Sequence, residues 1–377
     1  MTDRSRTIAL VWDNYGPMHV DRGEAVQRLL GPGWSVVGIE QFGTSDTYAW
    51  VPEAGKGFRK VTVMSGEERG LGTVRKTRKL LSAISAAGAG HVVMCNYERP
   101  EVLTAATILR LRGRRLYVMG CSKFDDYDRS LRREALKSLF FLPYQGGISS
   151  GYRARDYMRF LGLPKDKVQV EYNTLSIDRI RQAAGVPPAP GGLPLARRHF
   201  TIVARFVPKK NLHMALRAYA AYLGMTQDPR ELHLCGSGEL EGELRALAAE
   251  LGIADRVIFR GFLQTAEIAQ VLGSSLALLL PSIEEQFGNV VIEAQAMGLP
   301  VILSDNCGAR DRLIRSGWNG FVVEPDNPEG MAWFMARLSE DAATWTRFAT
   351  NAAATAPKGD VERFAEAVAR LVGAEAG

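Results

Sequence analysis

The chain has 377 residues, of which 46% are hydrophobic and 23% charged, and this composition is typical of a globular protein with two domains. No apolar run approaches the roughly 18 residues that cross a bilayer, and residues 1–10 contain no apolar signal-peptide core, so a cytoplasmic location is expected. The four cysteines are far apart, which excludes zinc sites of the CxxC type and indicates reduced thiols.

The net charge of +6 is unevenly distributed, because residues 51–160 contain 21 Lys or Arg against 10 Asp or Glu. Such a surface suits an anionic acceptor, a membrane surface or nucleic acid, and solvated helix faces are the alternative. No aromatic residues interleave with the charges as in single-strand binders, so no nucleic-acid partner is expected. The basic residues cluster at Arg75, Lys76, Arg78 and Lys79, at Arg110, Arg112, Arg114 and Arg115, and at Arg129, Arg132, Arg133 and Lys137.

Short β-branched runs alternate with longer amphipathic runs in the first half of the chain, which predicts a parallel sheet covered on both faces. Strands are predicted at 8–12, 36–39, 61–64, 91–95, 116–120 and 168–172. Helices are predicted at 20–30, 73–87, 102–112, 131–140 and 152–161.

A segment rich in proline and glycine, 185–194, interrupts this alternation and predicts a linker. The same alternation then resumes, with strands at 200–204, 232–235, 257–260, 276–280, 301–304 and 320–323 and helices at 212–222, 240–251, 265–272, 290–297 and 311–316. An amphipathic helix is predicted at 361–372.

These elements predict two doubly wound, Rossmann-like α/β domains that face each other across a cleft, because ligands of such sheets bind beyond the carboxyl ends of the strands. The predicted boundaries are 1–184 for an acceptor-binding domain, 185–197 for the linker, 198–356 for a nucleotide-sugar-binding domain and 357–377 for a C-terminal helix that packs back on the first domain.

The most informative motif spans residues 281–302, where Glu285 precedes a glycine and Glu293 lies eight residues later inside an apolar helix. The free amides of a helix start attract phosphate, and carboxylates bind hydroxyls, so the motif suits a nucleotide sugar. Ser282 and Glu285 also match a capping box. However, a capping box leads straight into a helix, and Gln286, Phe287 and Gly288 would interrupt it, so a loop, a glycine and then a helix are predicted.

Arg205 and Lys210 follow the first strand of the second half, at the mouth of the next helix. A guanidinium can bind two phosphate oxygens and a lysine supplies a mobile charge, so the pair could neutralise a diphosphate without a metal. A basic loop in water is the alternative. Two weaker signals also follow strands, the turn of Gly236, Ser237 and Gly238 and the pair Gly261 and Phe262.

The order of these motifs, together with Gly298, Pro300 and Asn319-Gly320, resembles that of the retaining glycosyltransferases of family 4, which have the GT-B architecture of the glycogen-synthase-like superfamily. The resemblance covers most of residues 200–325. It implies that Arg205 and Lys210 hold the donor diphosphate, that Glu285 contacts the donor sugar and that Glu293 binds the ribose. The amides of Phe287, Gly288 and Asn289 would line the diphosphate.

The first half resembles the family less. Gly16 matches the glycine-rich loop that relatives place near the donor, and His19 is a candidate acceptor contact. The histidine that relatives often present from a later strand end is missing, and Ser122, Asp125, Asp126 and Asp128 occupy that place as candidate acceptor ligands. An acidic turn that caps the next helix is the alternative.

The expected function is retaining transfer of a hexose-type sugar from a nucleotide diphosphate sugar, UDP- or GDP-linked, to a hydroxyl of a small molecule, glycan or lipid-linked acceptor. No cofactor and no metal are expected, and the nucleotide sugar is a co-substrate. Peripheral membrane contact through the basic helices is a further expectation. A nucleotide-sugar epimerase or hydrolase, and a non-catalytic nucleotide-sugar-binding protein, are the alternatives.

Overall fold

The computed structural model describes residues 4–44 and 57–374, and the chain divides into two compact units. Unit 1 comprises Met1–Ser176 together with Val361–Gly377, and unit 2 comprises Ile177–Asp360. Each unit is built on one parallel sheet with helices between most of the successive strands, as the alternating sequence pattern predicts.

In the described part of unit 1, seven parallel strands form a sheet in the order β3-β2-β1-β4-β5-β6-β7. The strands are β1 (Thr7–Trp12), β2 (Ser35–Phe42), β3 (Arg59–Met64), β4 (His91–Met94), β5 (Arg115–Gly120), β6 (Gly146–Ser149) and β7 (Val168–Gln169). The helices between them are α1 (Pro17–Leu30), α2 (Thr73–Ala86), α3 (Pro100–Leu111), α4 (Leu131–Ser138) and α5 (Tyr152–Phe160).

Strand β6 escaped prediction because two of its four residues are glycines. The glycines are needed for close strand packing: a Cβ on Gly147 would lie 2.7 Å from the carbonyl oxygen of Val118, and one on Gly146 would lie 2.5 Å from that of Lys167. Glycine inside a strand indicates such a close backbone approach, so Gly146 and Gly147 were the sequence signal that could have located β6.

The described part of unit 2 contains a six-stranded parallel sheet in the order β10-β9-β8-β11-β12-β13. Its elements in chain order are α6 (Ile177–Ala184), β8 (His199–Val203), α7 (Leu212–Leu223), β9 (Leu232–Cys235), α8 (Glu241–Glu250), β10 (Val257–Gly261), α9 (Thr265–Gly273), β11 (Ser275–Leu280), α10 (Val290–Ala296), β12 (Val301–Ser304), α11 (Arg310–Leu313), β13 (Gly320–Val323), α12 (Pro328–Glu340) and α13 (Ala342–Thr355).

The segment predicted as a linker, 185–197, is part of unit 2, and the two units instead meet in sequence at Ser176 and Ile177. Ala189 is buried, and its amide donates to the carbonyl of Met297 at 2.8 Å. Gly298 permits this contact, because a Cβ there would lie 2.1 Å from the Ala189 carbonyl oxygen. The proline-rich composition excluded regular structure but not tight packing.

The last helix, α14 (Val361–Val372), belongs to unit 1 and packs on α1. Its apolar side, which includes Phe364 and Val368, joins the same hydrophobic cluster as Ile8 and Val26. The predicted return of the C-terminal helix to the first domain is therefore confirmed.

We expect Gly147→Ala to destabilise unit 1 by about 1–3 kcal/mol, because the new methyl group would overlap the carbonyl of Val118. Gly70→Ala is the matched control, since a Cβ at Gly70 meets no atom within 4 Å. Urea unfolding followed by fluorescence measures both variants. Equal midpoints for the two variants would contradict this account of β6.

Candidate active site

The strand order of unit 2 reverses between β8 and β11, which lie side by side although the chain forms β9 and β10 between them. Ligands of open parallel sheets bind beyond the carboxyl ends of the strands at this kind of reversal. Arg205 and Lys210 follow β8, and Glu285 follows β11. The residues that the sequence singled out thus flank the position that the fold favours for a ligand.

Lys210 and Glu285 form an ion pair across this reversal, with the Lys210 ammonium bonded to Oε2 of Glu285. Both side chains are largely enclosed, at 16% exposure each. Arg205 is exposed near the start of the loop that follows β8. The site therefore holds a fixed cation, a fixed carboxylate and a guanidinium that remains open to solvent.

Asn211 ties this site together and was missed by the sequence analysis. It adopts the left-handed conformation, with φ of 56°, at the start of α7. Its side-chain amide donates to the carbonyls of Pro281 at 3.1 Å and Pro325 at 2.7 Å, so it joins the loops after β8, β11 and β13. The sequence signal that could have found it is an asparagine between two lysines and the start of a helix, since asparagine tolerates the left-handed conformation.

The turn of Gly236, Ser237 and Gly238 packs directly on the β8 loop. A Cβ on Gly236 would lie 1.9 Å from the Ala204 carbonyl oxygen, and one on Gly238 would lie 2.5 Å from the Phe206 carbonyl oxygen. The Phe206 amide donates to the Ser237 carbonyl at 2.8 Å. The two glycines therefore position the backbone beside Arg205, and Ser237 is left exposed.

Gly261 ends β10 with φ of 69°, and its carbonyl accepts from the Gly236 amide at 2.8 Å. This hydrogen bond joins the end of β10 to the turn of Gly236, Ser237 and Gly238. The following Phe262 is 58% exposed, so its ring offers a flat apolar surface at the same edge of the sheet.

The segment from Ser282 to Asn289 is a loop, and the next helix, α10, begins only at Val290. The predicted order of loop, glycine and helix is confirmed, and the capping-box alternative is excluded. Gly288 has φ of 97°, and Phe287 is buried beneath the loop. Within residues 4–44 and 57–374, the amides of Phe287 and Gly288 donate no hydrogen bond, and Asn289 has a polar contact of its own.

Glu293 lies half-buried in the first turn of α10. Burial raises the pKa of its carboxyl to about 7. No cation or hydrogen-bond donor of the described chain faces this carboxylate. A desolvated, unpartnered carboxylate is costly to a fold, and such groups are characteristic of binding sites.

Other residues of the recognised motif are structural. Asn319 is buried and bonds the Leu313 carbonyl at 2.8 Å and the Thr355 hydroxyl at 3.0 Å. A Cβ on Gly320 would lie 2.2 Å from the carbonyl oxygen of Val301, so only glycine fits there.

In unit 1, Gly16 and His19 form the start of α1. The Gly16 amide donates to Nδ1 of His19 at 3.1 Å, and the ring lies 4.8 Å from that of Trp12. Burial, and then the charge of Arg22, holds the pKa of His19 well below its ordinary value, so the ring is neutral. His19 thus has a helix-capping role in the structure.

The acidic segment after β5 is divided among different partners. Asp126 is buried and binds the Lys123 ammonium, and its Oδ2 accepts from the Lys123 amide at 2.8 Å. Asp125 pairs with Arg153 at 2.6 Å. Asp128 is exposed. The structure therefore places Asp126 inside unit 1, whereas Asp128 is open to a ligand. Ser122 is half-buried and has a polar contact of its own.

A charged group that the sequence analysis missed lies where the strand order of unit 1 reverses, between β1 and β4. Asp13 follows β1 and is bound by Arg99 and, at 3.4 Å, by Arg69. Asn96 follows β4 with φ of 59°. These residues follow neighbouring strands only because of the strand order of the sheet, which the sequence of a single strand does not reveal.

Within the described ranges, no three His, Cys, Asp or Glu side chains come together as a metal site would require. The same residues contain no helix that is both long enough and apolar enough to cross a bilayer.

Comparison with known proteins supports these observations. The family model described as "Glycosyl transferases group 1" matches residues 189–355, the part of the chain that contains Arg205, Lys210, Glu285 and Glu293. By this similarity we call residues 189–355 the glycosyltransferase domain. The family resemblance drawn from the motifs is thereby confirmed.

Curated relatives match about half of this chain. A D-inositol 3-phosphate glycosyltransferase of Streptomyces scabiei is 32% identical over 58% of this chain and 51% of its own length. An uncharacterized glycosyltransferase of Methanocaldococcus jannaschii is 30% identical over 47% of this chain and 46% of its own. The chain thus spans about half the length of the curated relatives it matches.

A solved structure shows that the likeness in fold extends over both units. The Anabaena protein HepE, in complex with UDP and glucose, superposes with a TM-score of 0.71 over 97% of this chain and 99% of its own, at 18% identity. The chain has the GT-B fold, with the glycosyltransferase domain as its second Rossmann-like unit.

We expect Glu293→Gln to stabilise the glycosyltransferase domain above pH 7. The folded-state pKa of about 7 exceeds the ordinary value of 4.5, so the folded state binds a proton more tightly and the wild type loses stability as the pH rises through this interval. The amide has no charge to desolvate. At pH 8 the melting temperature of Glu293→Gln should exceed that of the wild type by roughly 3 °C or more. This difference should shrink toward zero near pH 5. A lower melting temperature at pH 8 would contradict the assignment of burial as the cause.

We expect Asp126→Asn to destabilise unit 1 by about 3 kcal/mol, because it leaves the buried Lys123 ammonium without its carboxylate. Asp128→Asn is the control, since Asp128 is exposed and should leave stability within about 0.5 kcal/mol. Urea unfolding measures both. If the two variants unfold at the same midpoint, the structural role of Asp126 is wrong.

Proposed function

We propose that the protein is a retaining glycosyltransferase that moves a hexose-type sugar from a nucleotide diphosphate sugar to an acceptor hydroxyl. The observation that carries this proposal is the meeting of Lys210 and Glu285 where the sheet of unit 2 reverses, beside Arg205 and the glycine turn. Cations and carboxylates in one place match a ligand that has both phosphates and hydroxyls.

Three parts of the donor, which are its diphosphate, its ribose and its base, would each have their own contacts. Arg205 and Lys210 would bind the diphosphate, together with the amides of Phe287, Gly288 and Asn289. The unpartnered carboxylate of Glu293 would accept hydrogen bonds from the ribose hydroxyls, which offsets the cost of its burial. The base would lie against Gly261 and the exposed ring of Phe262. The UDP and glucose in the HepE structure favour a uridine donor.

Glu285 would have two tasks, because it already holds the Lys210 ammonium. Each carboxylate oxygen has two lone pairs, so Glu285 can accept a hydroxyl of the transferred sugar in addition to the Lys210 ammonium. The same contact fixes the ammonium on the side of the site where the diphosphate would lie. Positioning of this kind lowers the barrier, since no side chain has to reorganise during the reaction.

The proposed reaction proceeds on one face of the sugar. The bond between the anomeric carbon and the diphosphate oxygen breaks, and the acceptor oxygen bonds to the same face of that carbon. The leaving phosphate oxygen takes the acceptor's proton. Arg205, Lys210 and the loop amides would stabilise the charge that develops on the diphosphate, so we propose that no metal is required.

The acceptor would bind unit 1. The exposed Asp128, with Ser122 and Asp125 nearby in sequence, could accept hydrogen bonds from its hydroxyls. The basic surface of unit 1 suits an acceptor that also has a negative charge. A lipid-linked acceptor would require the enzyme to reach a membrane surface, which the basic helices of this unit favour.

We expect Arg205→Ala, Lys210→Ala and Glu285→Ala each to lower turnover by roughly two orders of magnitude or more, because each removes a charge that acts on the transition state. Sugar release from UDP- and GDP-linked donors, with and without an acceptor panel, measures turnover. Loss of nucleotide-induced thermal stabilisation in Arg205→Ala would separately report the diphosphate contact.

Lys209→Ala is the matched control, since Lys209 neighbours Lys210 but pairs with the half-exposed Glu284. Its turnover should stay within a few-fold of the wild type. Normal turnover of all three site variants would refute the placement of the site. Products formed without an acceptor would indicate a hydrolase or epimerase, and nucleotide-sugar binding without any product would indicate a binding protein.

A further inference from the structure

Helix α4 of unit 1 encloses charged side chains and exposes leucines. Its inner side is polar, because Glu134 is buried and Lys137 is half-buried. Its outer side exposes leucines beside Arg132 and Arg133, and the leucines of this helix and of the turn that follows it are all solvent-exposed. They are 66% exposed at Leu131, 65% at Leu136, 55% at Leu139 and 74% at Leu142.

The inner side is fixed by a buried polar network. Glu134 accepts from Arg129 at 3.2 Å and from the Tyr157 hydroxyl at 2.5 Å. Lys137 donates to the same hydroxyl at 2.8 Å. The Arg129 guanidinium lies 4.3 Å from the ring centres of both Tyr127 and Tyr157. Rotating α4 to bury Leu131 and Leu136 would break the contacts of Glu134 and Lys137, so these two leucines face outward.

Positive charge accompanies the exposed leucines. Arg132 and Arg133 are exposed, and no carboxylate of the described chain pairs with either. Two nearby acids are neutralised, because Asp125 pairs with Arg153 and Asp156 with Arg155 and Arg159, and Asp128 is exposed. We call the four leucines together with Arg132 and Arg133 the α4 face.

We propose that the α4 face docks on an anionic phospholipid surface. Leucine side chains gain free energy by leaving water for the acyl boundary of a bilayer, and flanking arginines reach the lipid phosphates with their stems in the apolar layer. A second copy of the chain fits less well, because its arginines would meet arginines of the same charge. This docking goes beyond the proposed transfer reaction and does not depend on it.

Co-sedimentation with vesicles tests the proposal. The full-length protein should bind vesicles of phosphatidylcholine with 30% phosphatidylglycerol, bind pure phosphatidylcholine far less, and lose binding as salt rises. Substitution of Leu136, Leu139 and Leu142 by serine should lower the partition coefficient roughly ten-fold or more. Arg132→Gln with Arg133→Gln should lower it by roughly five-fold for each charge removed.

Matched controls come from the end of α3 in the same unit. Leu111 is 83% exposed, and Arg110 and Arg112 beside it are exposed as well. Leu111→Ser, and Arg110→Gln with Arg112→Gln, should leave vesicle binding unchanged. Nucleotide-induced thermal stabilisation without vesicles should be the same in every α4 variant, so a failure of docking is distinguishable from a failure of the donor site.

Three outcomes would overturn the proposal. The first is no binding to anionic vesicles, and the second is equal loss of binding in the α4 variants and the α3 controls. The third is a dimer in analytical ultracentrifugation that the leucine substitutions dissociate while vesicle binding remains absent, which would make the α4 face a contact between copies.

Discussion

The candidate site depends on one constraint, the adjacency of β8 and β11 in a sheet whose strand order reverses between them. Residues 75 positions apart, Lys210 and Glu285, become ion-pair partners because their strands end side by side. The Asn211 side chain then joins the loops that follow β8 and β11. Gly236 and Gly238 let the turn after β9 pack against the loop after β8. The ion pair is thus a product of backbone topology.

Sequence patterns predicted the parts of this arrangement that depend on local chemistry. The β-branched runs located most strands, and the glycine before α10 separated a loop from a capping box. Helices α12 and α13 were missed, although caps mark both: the Asn327 side chain accepts from the Gly330 amide, and Asp341 from those of Ala343 and Thr344. Their buried residues also recur at helical spacing, as Met331 and Met335 do in α12 and Trp345, Phe348 and Ala352 do in α13, so spacing and caps together were signals that could have located both helices.

Unit 1 was less predictable because its polar residues take distant partners. Asp125 and Asp126 look alike in sequence, yet one pairs with Arg153 on another helix and the other is enclosed with Lys123. The same holds for the basic cluster at 129–137, where Arg129 and Lys137 turn inward and Arg132 and Arg133 stay outside. Charge counts cannot make that distinction, since it follows from which side of α4 meets Tyr157.

The return of α14 to unit 1 has a consequence for how the protein forms during synthesis. Strands β1–β7 leave the ribosome first, yet the apolar cluster around Ile8 and Val26 is covered only when residues 361–372 emerge. Unit 2, which is continuous in sequence, can close its core earlier. The first unit to be translated is therefore the last to be finished, and its uncovered apolar surface must persist while about half of the chain is still being made.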